Sequence, residues 1–116
     1  MHITMLKAKL HRATVTTCCL DYEGSTSIDA DLLRRVDIRP HEQVDIYNIN
    51  NGERFTTYAI EAPAGSGTIG LNGAAARKAV PGDRIIICAY CLVSTDEASQ
   101  NYPQVVALDD GNRVQL

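Results

Sequence analysis

Short runs of alternating apolar and polar residues, broken at close intervals by turn formers, organise this chain from end to end. Near the amino terminus Leu6, Ala8 and Leu10 alternate with Lys7, Lys9 and His11, which predicts a strand with one apolar and one cationic face. Over residues 28 to 36, Asp29 offers a helix cap, acidic residues come early and Arg34 and Arg35 late, and Pro40 forbids continuation, so one short helix is expected. Val44 and Ile46 then alternate with Asp45 and Tyr47, Asn51-Gly52 turns the chain, and residues 54 to 60 return as the second strand of a hairpin. Further strands are expected at 68–71, 84–93 and 105–108, with a helical turn at 74–80 and a tight turn at Pro81-Gly82-Asp83. Six or so strands with one or two short helices predict a mainly β domain. A small closed barrel suits this pattern better than a layered α/β sheet, which needs repeated crossovers.

A chain of 116 residues is one domain, long enough to bury roughly two-thirds of its unfolded surface. The net charge of −3 gives no reason to expect nucleic acid or an anionic membrane as partner. Its acidity is uneven, because Lys7, Lys9, His11 and Arg12 all precede the first acidic residue, Asp21. No apolar segment follows Met1 and none is long enough to span a bilayer, so a soluble, cytoplasmic protein is expected.

Two motifs invite sharper readings. Cys88-Ala-Tyr-Cys91 has the spacing of zinc ligands, but it continues the apolar run Ile85-Ile86-Ile87, and a strand sends positions three apart to opposite faces. Buried, reduced thiols rather than a metal site are the expectation for these two. Gly65-Ser66-Gly67-Thr68-Ile69-Gly70 matches a dinucleotide fingerprint, yet no long helix opens at its third glycine and the chain is too short for a second nucleotide-binding half. A glycine-rich hairpin loop is the expected structure.

Tyr22-Glu23-Gly24-Ser25 carries the most chemistry. A serine just after a glycine can attack the carbonyl that precedes it, and Gly24, lacking a Cβ, allows the strained or left-handed backbone that such an attack favours. The acyl group moves from nitrogen to oxygen; β-elimination of the ester releases Gly24 as a carboxylate, and the dehydroalanine left behind hydrolyses to a pyruvoyl group with loss of ammonia. Gly-Ser is also an ordinary turn dipeptide.

The surrounding residues decide between these readings. Met5-Leu6 with Lys9-Leu10-His11-Arg12, Tyr22-Glu23-Gly24-Ser25 with Ile28-Asp29, Asn51-Gly52 with Arg54-Phe55, Thr57-Tyr58-Ala59-Ile60 and Asn72-Gly73-Ala74-Ala75-Ala76 run in order as far as about Ala89. In these pieces the chain resembles the bacterial pyruvoyl-dependent aspartate 1-decarboxylases. The resemblance implies a double-psi β-barrel assembled as a homotetramer with active sites at subunit interfaces. It implies cleavage between Gly24 and Ser25 into a β chain of residues 1–24 and an α chain of residues 25–116, in some relatives with a helper protein. The covalent pyruvoyl group made from Ser25, with neither metal nor pyridoxal phosphate, would decarboxylate L-aspartate to β-alanine for pantothenate and coenzyme A synthesis.

Site residues are carried over on the same footing. A pyruvoyl carbonyl condenses with the substrate amine and acts as electron sink. Arg54 and Lys9 match the residues that hold the two carboxylates, a role for which paired cations are suited. Tyr58, still protonated at neutral pH, matches the proton donor. Thr57 matches the hydroxyl that stabilises the self-cleavage intermediate and touches substrate. In a regular strand Thr57 and Tyr58 face opposite ways, so a twist, bulge or interface is expected between them. Asn72, Gly73, Ala74 and Ala75 match the pocket lining, and His11 and Tyr22 match more peripheral contacts. Three other readings stay open: an unprocessed barrel that binds or builds, a nucleotide-binding module, and the same chemistry on a longer acidic amino acid.

Overall fold

In the computed structural model, which describes residues Met1–Leu116, the amino-terminal alternation becomes β1 (His2–Thr14), with Ala8, Leu10 and Ala13 buried and Lys7, Lys9 and His11 half-buried on the other face. Then follow β2 (Thr17–Cys19), β3 (Ser25–Asp29), α1 (Ala30–Val36), β4 (Gln43–Asn48), β5 (Arg54–Ala62), β6 (Ile69–Asn72), β7 (Arg84–Ser94) and β8 (Gln104–Ala107). Single 3₁₀ turns occupy Gly73–Arg77 and Ala98–Gln100.

The eight strands run in the order β2-β6-β3-β5-β4-β7-β1-β8. Pairs β1–β8, β2–β6 and β3–β5 are parallel, and the other four are antiparallel. Just past β1 the Val15 N–H donates to Asp83 O at 2.9 Å and the Thr16 N–H to Ile69 O at 2.8 Å, so this segment bridges the β6 and β7 regions and draws the ends of the sheet together. The result is the mainly β, double-psi barrel architecture. Its interior is one apolar cluster that includes Leu10, Ile28, Ile46, Ile69, Leu71, Ile85, Ile87 and Leu108.

Several expectations need correction. There are eight strands rather than about six, because β2 is only three residues long and β3 is buried on both faces, with Ser25, Thr26, Ile28 and Asp29 all inside. Neither shows the alternation that reveals a strand. Helix α1 stops before Pro40 comes into play: Asp37 turns left-handed at φ 58°, and the N–H groups of Asp37 and Ile38 donate back to the Arg34 and Leu33 carbonyls. Of the two thiols expected to be buried, Cys88 is buried but Cys91 only half-buried, and both are free.

The glycine-rich segment is a loop but not a hairpin, since β3 lies between β5 and β6 and pairs with both. Its amides have an occupant of their own. Gly65 N–H and Gly67 N–H each donate to the Asp29 carboxylate at 2.9 Å, and Asp31 N–H donates to it at the same distance as the helix cap. Asp29 thus serves strand, helix and loop together. Burial pushes its carboxyl up, but the donors from Gly67, Gly65 and Asp31 and the charge of Arg113 outweigh that and hold it below the ordinary value of 3.8.

Asp29→Ala removes a helix cap and orphans a buried amide, and is expected to destabilise the protein by about 2–4 kcal/mol in urea unfolding. A carboxyl depressed in the folded state contributes stability that is complete above the unfolded pKa and lost as pH falls through the folded one. Acid unfolding below about pH 4 is therefore expected to be steeper in the wild type than in Asp29→Asn.

Candidate active site

Ser25 opens β3 and is 1% exposed. It lies opposite Asn72 of β6, and because Thr26 registers with Ala59 of β5, Ser25 is level with Tyr58. Its Oγ donates to Glu23 O at 3.1 Å and accepts from Asn72 Nδ2 at 3.0 Å. The same Asn72 amide donates to Ser27 Oγ at 3.0 Å. With two hydroxyls as acceptors, the buried amide is fixed in plane and in turn fixes the Ser25 hydroxyl beside the Gly24 peptide.

The left-handed backbone expected at Gly24 lies elsewhere. Gly24 has no positive φ, whereas Gly73 has φ 65°. A Cβ on Gly73 would sit 2.7 Å from Gly24 Cα, 2.8 Å from Gly24 N and 3.0 Å from Tyr22 O. The strained glycine is therefore the one that lets the Gly73–Arg77 turn press against the Gly24 backbone, while Gly24 itself faces open space.

Gly24, Phe55, Thr56, Thr57, Tyr58, Ala74, Ala75 and Lys78 line a cavity of about 360 Å³. Thr57 and Tyr58 share it without a bulge, because β4–β5 pairing runs unbroken from Tyr47↔Arg54 to Gln43↔Tyr58. The reason is an uncovered edge: β3 pairs with β5 only from Ala59 onward, so residues 54–58 present one edge, and hence both faces, to the opening. Tyr22 is exposed and lines a second cavity with Cys19, Ser27 and Asn72.

The remaining cationic residues do not join this cavity within one chain. Arg54 lines a neighbouring recess with Asp45, Tyr47, Phe55 and Thr56. Lys9 is on β1 opposite Cys88 of β7. Burial pushes the Cys88 thiol up, against the pull of Lys9 and Arg54, both of which it feels. These two cations therefore share the outer face of β1, β7, β4 and β5. Neither takes part in the four ion pairs of the chain, Lys7–Glu42, Arg34–Asp31, Lys78–Glu53 and Arg84–Asp110. His11, on the same strand as Lys9, has its Nδ1 buried without a partner. Burial, then Lys9, Arg12 and Arg84, hold the imidazole below its ordinary pKa and hence neutral at pH 7.

Sequence reasoning missed Ser27, Lys78 and Tyr47. Ser27 is two residues beyond Ser25 on the same face of a strand, a signal hidden because the strand itself was not recognised. Tyr47 faces Arg54 across the hairpin, and that register was implicit in the Asn51-Gly52 turn.

Gly73→Ala is expected to cost more stability than Gly52→Ala. Both glycines have positive φ, worth about 1–2 kcal/mol for an L side chain, but only Gly73 also meets backbone within 3 Å. Parallel urea unfolding of the two variants checks this ordering.

The comparisons with known proteins agree with one another. The family model described as aspartate decarboxylase matches residues 1–115. The aspartate 1-decarboxylase of Maricaulis maris is 64% identical over 114 residues, covering 98% of this chain and 94% of that protein. Those of Thioalkalivibrio sulfidiphilus and Ralstonia nicotianae are 60% and 55% identical, each over 98% of this chain and over 90% and 95% of their own lengths. With a match that runs through the Gly24–Ser25 junction, the cavity beside it and the strands that hold both, this chain belongs to the aspartate decarboxylase family.

Proposed function

We propose that this chain is made as a precursor that cuts itself between Gly24 and Ser25, and that the resulting enzyme decarboxylates L-aspartate to β-alanine and carbon dioxide, in the cytoplasm, for pantothenate and coenzyme A synthesis. The observation that carries the reading is the buried Ser25 hydroxyl, held by Asn72 next to a glycine that faces an open cavity, in a chain of this family.

Cleavage uses only groups of the chain. Ser25 Oγ attacks the Gly24 carbonyl carbon, the Ser25 nitrogen leaves as an amine, and the acyl group rests on oxygen as an ester, with the Thr57 hydroxyl stabilising the negative charge of the intermediate. Loss of the Ser25 α proton then expels the Gly24 carboxylate. Water hydrolyses the resulting dehydroalanine, releasing ammonia and leaving residues 1–24 and 25–116 as the β and α chains.

The surroundings fit the group that results. β3 is held by β5 on one side and β6 on the other, so a new end at Ser25 stays anchored after the cut, and Gly24 borders the cavity into which its carboxylate can withdraw. The pyruvoyl carbonyl supplies an electrophile that condenses with an amine and accepts the electron pair left when carbon dioxide departs. The Tyr58 hydroxyl, on the cavity wall, delivers a proton to the substrate α carbon. Asn72 and the backbone of Gly73, Ala74 and Ala75 orient the substrate. Lys9 and Arg54, in no ion pair within their own chain, bind its carboxylates, while His11 and Tyr22 are outlying contacts. Because the two cations lie on the outer face, the reading includes a homotetramer in which one subunit's cations complete the cavity of the next.

An intact mass spectrum under denaturing conditions tests this. Two fragments are expected, the larger lighter by one ammonia than a serine-ended chain, and Ser25→Ala is expected to remain whole. Tyr58→Phe is expected to lower β-alanine production by roughly 10²–10⁴-fold, the range of a lost general acid. A single wild-type chain that stays uncut after prolonged warming and after addition of host extract overturns the proposal.

A further inference from the structure

Arg54 begins β5 with its guanidinium carbon 3.9 Å from the centroid of the Tyr47 ring. Tyr47 lies directly opposite on β4, and its hydroxyl is 2.8 Å from that of Tyr90 on β7. The contact with Tyr47, and then burial, push the Tyr90 phenol well above its ordinary pKa. No ion pair ties the arginine to a carboxylate of the chain. Asp45 lines the same recess, but its carboxylate accepts from the Thr56 hydroxyl at 2.6 Å.

A guanidinium over a ring face is held by its flat side, which leaves its N–H edge free. That edge is what a carboxylate binds with two parallel hydrogen bonds. An unsupported arginine on a strand end samples many rotamers and must be ordered each time an anion binds, whereas one laid on a fixed ring has lost most of that freedom in advance. The ring here is fixed as well, by a hydroxyl contact that reaches to the next strand.

We infer that Tyr47 and Tyr90 are positioning residues for the carboxylate clamp, with Tyr47 setting the plane of the Arg54 guanidinium and Tyr90 locking Tyr47. The inference rests on the reading above in which Arg54 binds a substrate carboxylate, and deepens it by assigning selectivity for a dicarboxylic amino acid to a three-strand support, β5 on β4 on β7. Neither tyrosine touches the reacting atoms in this scheme, so their loss acts on substrate affinity and leaves cleavage at Gly24 alone.

The test uses the cleaved wild type with Tyr90→Phe, Tyr47→Phe, their double variant and Tyr47→Leu. It measures KM and kcat for L-aspartate and, by calorimetry, the affinity for succinate, which carries two carboxylates and no amine. Tyr90→Phe and Tyr47→Phe break the same contact and are expected to raise KM and weaken succinate equally, by roughly two- to tenfold, with kcat unchanged. The double variant is expected to be no worse than either, since one shared hydrogen bond can be lost only once. Tyr47→Leu, which also loses the ring, is expected to weaken both by roughly ten- to thirtyfold. Unchanged KM and succinate affinity, additive effects in the double variant, or a fall in kcat at constant KM overturn the inference, as does a wild type that binds no succinate. A wild type that binds succinate but does not turn over aspartate sinks the decarboxylase reading alone, and weaker succinate binding in the variants then still supports the clamp.

Discussion

The approach of the Gly73 backbone to the Gly24 backbone is the constraint on which the rest of the site depends. A 3₁₀ turn can lie against the residue before Ser25 only if no Cβ stands between them, and the left-handed φ of Gly73 meets both requirements. Asn72, the last residue of β6 and the cap of that turn, is set by β3–β6 register against the two serine hydroxyls of β3. The Ser25 hydroxyl is oriented by a group whose own position is set by the surrounding structure, so its place is fixed without strain in Ser25 itself.

Buried polar side chains hold the barrel together in the same manner, each tying together segments from different elements. Asp29 binds three amides. Asn112 receives the Thr14 N–H and donates to the Thr14 and Gly67 carbonyls, tying the last segment to β1 and to the glycine-rich loop. Asn48 donates to Lys78 O and Asp83 and accepts from Asn50 N–H, anchoring the hairpin turn to the segment before β7. Satisfied groups of this kind specify connections that apolar packing alone leaves degenerate.

The outer face of β1, β7, β4 and β5 is different in character. Its cations at Lys9 and Arg54 form no ion pairs, and the Asp45 carboxylate accepts from Thr56. Arg54 is supported from beneath by an aromatic ring rather than from the side by a carboxylate, and support of that kind keeps a cation available. The apolar interior beneath this face is continuous, so strand register alone brings these polar side chains to a common surface.

Hydrophobic alternation by itself determined β1, the β4–β5 hairpin, β7 and the Asp29-capped helix, because each depends on local spacing and on residues adjacent in sequence. The Gly24–Ser25 dipeptide by itself reads equally well as a turn, and only the motifs around it in the sequence single it out. Tertiary structure decided what depends on residues brought from afar. β3 carries no alternation because both its faces are buried, so Ser27 gave no sign of itself. The amides of the glycine-rich loop look free until the fold brings Asp29 to them from 36 and 38 residues away. The demand for left-handed backbone falls on Gly73 rather than Gly24 because it arises from a contact between segments, and a contact of that kind leaves no periodic mark on either one.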